Sequence, residues 1–237
     1  MKKCSLSIVI PTKNEEECID KIIKKIEKIS FKNFEILIVD KSTDKTKEKV
    51  KKYMKKYNNL RLVNQLNNGK GNAMKLGVKE AKGNVICFLD GDGTYPPTYI
   101  SKMFKVLKYC DVVVASRFIK KNKCSLGNFF GYKILPFLFK KYMKKFKTSE
   151  PLTGMRMMRK DTWNKLNLNS EGFMIEIEME VEMAKRGMKV AEIPIPYILR
   201  IGGKSKFIWN WKTIWEMKKY INDNEKYLSN LNIKQYL

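Results

Sequence analysis

Val85-Ile86-Cys87-Phe88-Leu89-Asp90-Gly91-Asp92-Gly93-Thr94-Tyr95-Pro96-Pro97 is the stretch whose reading decides the fold. Five apolar residues run straight into two carboxylates placed two positions apart. An uninterrupted apolar run of this length reads as a strand buried on both faces, the kind that parallel sheets use. The glycines and prolines after it stop the strand and force a loop. In open α/β sheets, ligands bind beyond the carboxyl ends of the strands, where these carboxylates fall. Two carboxylates so close repel each other unless something positive joins them. A hard divalent cation, Mg²⁺ or Mn²⁺, is the natural partner, since such ions commonly bridge one or two carboxylates to substrate phosphates. The plainer alternative is a polar turn after a strand.

Working outward, the pattern upstream alternates regularly. Residues 6–10 form a first strand, ended by Pro11. Thr12 to Glu16 open a helix with Cys18, Ile19, Ile22, Ile23, Ile26 and Ile29 at helical spacing. Residues 34–39 form a second strand that ends in Asp40, and Ser42-Thr43-Asp44 cap a helix over residues 45–57. A short strand at 60–63 leads to the glycine-containing loop 67–72 and a helix through Ala81. This β-α-β-α-β-α-β order implies a doubly wound, mostly parallel, Rossmann-like sheet flanked by helices.

Downstream, a helix over 97–108 precedes a strand at 111–115, with Ser116-Arg117 at its end. The turn at 150–154 leads into a strand at 155–159. Gly172-Phe173-Met174 introduces a helix bearing Glu176, Glu178, Glu180 and Glu182, which fall on more than one face, so at most two can enter one site. Extended runs at 190–193 and 195–199 end at Arg200.

Composition narrows the chemistry. The net charge is +25, from 49 Lys+Arg against 24 Asp+Glu, which calls for a polyanionic partner or reflects a lysine-rich surface. Histidine is absent, which excludes His-based metal sites and Ser-His-Asp catalysis. The five scattered cysteines show no CxxC and no disulfide rhythm, as expected of a reducing cytosol. No stretch reaches the roughly 18 apolar residues of a spanning helix. Between Phe129 and Phe146, aromatic residues interleave with Lys133, Lys140, Lys141, Lys144 and Lys145, and the tail holds Trp209, Trp211 and Trp215 among lysines. Both segments read as membrane-surface elements, and for the first a core-packing helix is the alternative on periodicity alone.

Taken together, the motifs resemble the family 2 glycosyltransferases of the A-type fold, and most of all the dolichyl-phosphate (polyprenyl-phosphate) mannose and glucose synthases. Ile10-Pro11-Thr12-Lys13-Asn14-Glu15 resembles the family's IPTYNE opening, and Val39-Asp40 with Ser42 to Thr46 its VDDxSxDxT. Gly69-Lys70-Gly71-Asn72-Ala73 resembles its GKGxA loop, Asp90-Gly91-Asp92 its metal-binding DxD, and Ser116-Arg117 its GSR. Thr153-Gly154-Met155-Arg156 resembles its SGFR, and Arg200 with Gly202 to Lys206 its RxxGxSK. The chain departs from the pattern at Lys41, where a second Asp is usual, at Thr94, and at Glu150, where the family has Asp.

The resemblance implies a catalytic unit at 1–206, with a nucleotide-binding half at 1–118 and an acceptor half at 119–206, followed by an amphipathic helical tail at 207–237. It implies inverting transfer of a sugar from a UDP- or GDP-sugar to a polyprenyl (dolichyl) phosphate. Pro11, Lys13, Glu15, Asp40, Lys70, Asp90 and Gly91 would line the nucleotide pocket. Asp90 and Asp92 would hold Mg²⁺ or Mn²⁺. Arg117, Arg200 and Lys206 would bind donor diphosphate and acceptor phosphate, and Glu178, or its neighbour Glu176, would orient sugar hydroxyls. Members often carry C-terminal transmembrane helices; this chain stops before any, so peripheral attachment to the cytoplasmic membrane face is expected.

Three rival readings remain on the sequence. Leu89 to Thr94 matches the hydrophobic-strand DxDxT of haloacid-dehalogenase-type phosphatases, although there the motif sits on the first strand and no Pro-Pro follows. A transferase with a soluble or polysaccharide acceptor would want a carboxylate base, for which Glu176 or Glu178 could serve. A nucleic-acid-binding module rests on charge alone and is not expected, because carboxylates mark the strand ends.

Overall fold

The apolar runs become strands whose alternate side chains feed two separate cores. In the computed structural model, which describes residues 5–119, 146–200, 202, 211–230 and 232–235, β1 (Leu6–Thr12), β2 (Phe34–Asp40), β3 (Leu60–Asn64) and β4 (Val85–Phe88) pair in parallel. Ile8, Ile10, Ile36, Ile38 and Cys87 enter one core, and Val9, Leu37, Val39, Ile86 and Phe88 the other. Side chains alternate across a strand, so a sheet covered on both faces needs strands apolar at every position. Helices α1 (Ile19–Ile26) and α2 (Thr46–Met54) cover the first face through Ile19, Ile22, Ile23, Ile26 and Val50. Helix α3 (Lys70–Glu80) covers the second through Ala73, Met74 and Val78.

The second half extends the same sheet. Helix α4 (Ile100–Val106) joins the first core. Strands β5 (Val112–Ser116), β6 (Arg156–Arg159), β7 (Lys189–Pro194) and β8 (Asn232–Gln235) complete the order β3-β2-β1-β4-β6-β5-β7-β8. Strand β6 runs antiparallel to both of its neighbours, and the other pairings are parallel. Helices α5 (Lys160–Asn164), α6 (Met174–Lys185), α7 (Trp211–Asp223) and α8 (Glu225–Leu228) lie on the second face, with Trp163, Ile177, Met217 and Leu228 in its core.

Two expectations need adjustment, one at Pro11 and one in the tail. Pro11 does not end β1, which continues to Thr12. The Val9 carbonyl accepts from Leu89 N–H, so the backbone of Pro11, two residues on, faces the same flank, beyond the last β1–β4 partners Val9 and Phe88. Its missing N–H therefore costs no ladder bond. Residues 195–199 form no strand: after Ile195 donates to the Ser116 carbonyl, the segment leaves the sheet and carries Arg200 back over it. The tail contributes to the sheet and core, because Ile214, Met217 and Ile221 of α7 are buried and β8 pairs with β7. The aromatic-basic stretch between Phe129 and Phe146 lies outside the described residues except for Phe146, which is buried. No helix among the described residues is long and apolar enough to cross a membrane.

The second core contains a buried charge pair. Arg156 on β6 and Glu180 on α6 are 1% and 0% exposed, with Nη2 3.0 Å from Oε1. The same Nη2 donates to the Pro151 carbonyl, and Thr148 Oγ1 donates to Glu180 Oε2. Nε and Nη1 of Arg156 have no hydrogen-bond partner, so the pair recovers only part of its desolvation cost. Arg156→Met is expected to lower stability by about 3–5 kcal/mol, because it strands a buried carboxylate. The double variant Arg156→Met/Glu180→Leu should regain most of that loss. Urea unfolding of the three proteins checks this, and a double variant no more stable than the single would mean that the ion pair itself supplies the stability.

Candidate functional site

The C-terminal ends of β1, β2 and β4 place three acidic loops side by side, and the chain answers them with its own cations. Lys70, the first residue of α3, is 2.6 Å from Asp90 Oδ1 and 2.6 Å from Glu176 Oε1. Burial alone would lower the Lys70 ammonium, but Asp90 and Glu176 outweigh it and hold the group above its ordinary value. For Glu176 burial wins: its carboxyl is pushed up to about 7, with Lys70 opposing and Asp90 adding to the rise. Arg200 reaches Asp92 Oδ2 at 2.7 Å and Glu15 Oε1 at 3.6 Å. The other oxygen of Asp92 accepts from the N–H and hydroxyl of Thr94, which locks its rotamer.

Close packing holds Asp90 and Lys70 in place. A Cβ on Gly154 would stand 1.9 Å from Asp90 Oδ2, so the turn into β6 lies directly against the carboxylate and any larger residue would push it aside. The Gly69-Lys70-Gly71 turn abuts the backbone of Ser170 and Glu171 in the same way: a Cβ on either glycine would come within 2.2 Å of a carbonyl oxygen. Asn72 N–H donates to the Glu171 carbonyl across this contact. The 169–171 turn is itself held by Glu178, whose two oxygens accept from Asn169 N–H at 2.9 Å and Ser170 N–H at 2.8 Å. Glu178 therefore braces the turn beneath Lys70, and its neighbour Glu176 is the glutamate that meets the carboxylate cluster.

Arg117, at the end of β5, forms a second cationic centre. Its N–H and Nε each lie 2.7 Å from Glu150, and Nη2 pairs with the same carboxylate. The guanidinium sits 4.4 Å from the Tyr95 ring centroid and 5.3 Å from that of Tyr197. Tyr95 joins the two centres, since its hydroxyl donates to Glu150 and accepts from Gly154 N–H. Burial first, then Glu150, pushes that hydroxyl well above its ordinary pKa, so it remains a donor.

The remaining expected residues divide by exposure. Asp40 is fully buried: Oδ1 accepts from the hydroxyls of Thr12 and Ser42, and Oδ2 from Ser42 N–H. It ties β1 to β2 at their ends. Pro11 is half-buried, Lys13 is exposed, and Gly91 is buried against Pro11 and Thr12. Lys206 lies outside the described residues. Reading the sequence for motifs did not find Tyr95 as the link between centres, nor Arg156 with Glu180 beneath them. Arg156 stands in a family motif and Tyr95 in the loop after β4, but neither motif names its partner.

The donor set fits a hard divalent cation in one specific way. Among the described residues no group of three or more His, Cys, Asp or Glu side chains is gathered as a preformed metal cage. Asp90 and Asp92 offer carboxylate oxygens only, which suits an ion that takes one or two protein carboxylates and completes its shell with phosphate and water.

The sequence matches the family described as Glycosyl transferase family 2 over residues 7–166. It is 30% identical over 223 residues to a dolichol-phosphate mannosyltransferase of Pyrococcus furiosus, covering 91% of this chain and 62% of that protein. It is 29% identical over 203 residues to a dolichyl-phosphate hexose transferase of Haloferax volcanii, covering 83% and 84%. The chain thus spans less than two thirds of the first relative. The fold matches glucosyl-3-phosphoglycerate synthase from Mycobacterium tuberculosis, crystallised with Mn²⁺, uridine diphosphate and glucosyl-3-phosphoglycerate, at a TM-score of 0.69. Identity is 18%, over 97% of this chain and 81% of that one, a likeness that shows the A-type fold.

Two outcomes follow from the site's geometry. Glu178→Ala should leave α6 in place but free the 169–171 turn, raising hydrogen exchange at Asn169, Ser170 and Asn72 by roughly tenfold or more, the loss of charge-assisted bonds. Unchanged exchange there would remove the bracing role. Glu176 has a folded pKa of about 7, above its ordinary 4.5, so the folded state holds the extra proton and stability falls as pH rises between those values. Glu176→Gln, which mimics the protonated form, should therefore be more stable than the parent at pH 8, with the difference closing near pH 4. Thermal unfolding across that range tests it, and a constant difference would refute the shift.

Proposed function

The chain belongs to glycosyl transferase family 2, and from that premise we propose that it transfers a sugar from a UDP- or GDP-sugar to a polyprenyl (dolichyl) phosphate, with inversion at the anomeric carbon, while attached peripherally to the cytoplasmic face of a membrane. The observation that carries this reading is the meeting of Asp90 and Asp92 with Lys70 and Arg200 at one end of the sheet. Two carboxylates and two cations at one end of the sheet are the complement of a diphosphate bound through a metal. The names of the Pyrococcus furiosus and Haloferax volcanii relatives support a dolichyl phosphate acceptor.

Asp90 and Asp92 would hold Mg²⁺ or Mn²⁺, which when bound neutralises charge that develops on the leaving diphosphate. Pro11, Lys13, Glu15 and Gly91 line the approach to the nucleotide, and Asp40 keeps that rim in shape by joining β1 to β2. Arg117 and Arg200, with Lys206, take phosphate oxygens of donor and acceptor, a task suited to the planar guanidinium fork. Tyr95 and Glu150 aim Arg117. An acceptor phosphate is already anionic at neutral pH, so attack on the anomeric carbon needs no strong base, in keeping with a chain that has no histidine. Glu176, beside Lys70, would meet the sugar hydroxyls. Family membership removes the phosphatase reading.

The test is a transfer assay with vesicles containing polyprenyl phosphate, a panel of labelled UDP- and GDP-sugars, and arms with and without EDTA. Label should move from one donor into organic-extractable lipid, only with metal, and the protein should sediment with the vesicles. Asp92→Asn should lower the rate by at least about a hundredfold, as loss of a transition-state charge contact does. Metal-dependent transfer to a water-soluble phosphorylated acceptor such as phosphoglycerate, with none to lipid, would replace the acceptor assignment.

A further inference from the structure

Each aspartate that would hold the metal already carries a cation of the chain's own, and each cation already has a second carboxylate to fall back on. Lys70 lies 2.6 Å from Asp90 and, on its other side, 2.6 Å from Glu176. Arg200 lies 2.7 Å from Asp92 and 3.6 Å from Glu15. The arrangement is the same twice over, built from four elements far apart in the sequence: the start of α3, the start of α6, the turn before α1 and the segment after β7. The aspartates are the less movable members. Gly154 confines one oxygen of Asp90, and Thr94 holds one oxygen of Asp92. The cations end long side chains, and Arg200 is 26% exposed.

Resting on the proposed metal-dependent transferase reading, we propose that Lys70 and Arg200 are exchangeable counter-ions: they neutralise Asp90 and Asp92 before the donor arrives, then pass to the donor's phosphates as a divalent cation takes the carboxylates. Glu176 and Glu15 make the exchange feasible. Without them, releasing an aspartate would leave a half-buried ammonium or guanidinium with no partner, at a large desolvation cost. With them, each cation keeps one carboxylate while it turns.

The exchange sets an order of affinities. A divalent cation alone must displace two internal cations and offers them nothing in return. A divalent cation that arrives with a nucleoside diphosphate provides phosphate oxygens for both in the same event. Metal and nucleotide must therefore bind with positive coupling, and by linkage each tightens the other by the same factor. Lys70 and Arg200 then act as a filter against free metal and against nucleotide without metal.

Mn²⁺ binding to the full chain, read from the electron paramagnetic resonance of the free aquo ion, tests this without any sugar transfer. In the parent protein, Mn²⁺ alone should bind weakly, and whichever of UDP or GDP is recognised should tighten it by about tenfold or more, within the usual range of coupling between sites. Lys70→Met removes the counter-ion of Asp90 and keeps the side chain's bulk. It should bind Mn²⁺ alone about tenfold more tightly than the parent and lose most of the nucleotide coupling. Lys70→Arg, which keeps the charge, should stay near the parent. Arg200→Gln should move in the same direction as Lys70→Met and carries the test if the latter does not fold by circular dichroism. Folded variants that bind Mn²⁺ alone no more tightly than the parent would overturn the counter-ion role, even if sugar reaches the lipid. Conversely, tightened Mn²⁺ with no transfer to polyprenyl phosphate would uphold the counter-ions and discard the acceptor.

Discussion

Two carboxylates two residues apart at the end of a buried strand need opposite charge beside them, and the fold brings one cation to each. Asp90 and Asp92 follow β4, a central strand with apolar cores on both faces. The chain carries 49 basic residues, yet Lys70 and Arg200 are the ones at salt-bridge distance from these two carboxylates among the described residues. One arrives on a helix N-terminus pressed against the 169–171 turn, the other on a strap that leaves the sheet after β7. Their placement is a product of the whole sheet order, since β4 must neighbour both β1 and β6 for the loops to converge.

Helix α6 shows how the second half of the chain is tied to the first. Its four glutamates alternate along the sequence, so the helical twist turns each toward a different neighbour. Glu176 meets Lys70, Glu178 takes the amides of Asn169 and Ser170, Glu180 pairs with Arg156 and Thr148, and Glu182 binds Asn167, Lys185 and Arg186. Apolar packing would hold this helix on the sheet but would leave its rotation and slide loosely specified. Buried carboxylates have few acceptable positions, so they set the register of α6 against β6 and α3.

The second cationic centre shares a foundation with the first. Arg117 is oriented by Glu150 and Tyr95, and Tyr95 binds the N–H of Gly154, the residue packed on Asp90. Displacement of β6 would therefore disturb both centres together. Glu150 stands where the family pattern has Asp, and its longer side chain accepts the backbone N–H, Nε and Nη2 of Arg117 at once. The departure from the pattern preserves an acidic partner for this arginine.

By itself the sequence determined the strands of the first ninety residues, their parallel direction and the position of the carboxylates, because apolar runs, glycine-proline punctuation and strand-end acids are local signals. Its motifs named most of the residues that meet at this end of the sheet. It did not reveal the antiparallel turn of β6 or the closing strand β8, because pairing direction depends on where a distant segment returns. It left the four glutamates of α6 unsorted, since their roles depend on which neighbour each meets in the folded chain. Tertiary structure alone decided that Glu176 faces Lys70 while Glu178 braces a turn, that Arg156 lies buried against Glu180, and that Asp90 and Asp92 each have an internal cation. Charge pairs form between groups that approach within a few ångströms, and that proximity is set by the packing of the whole sheet.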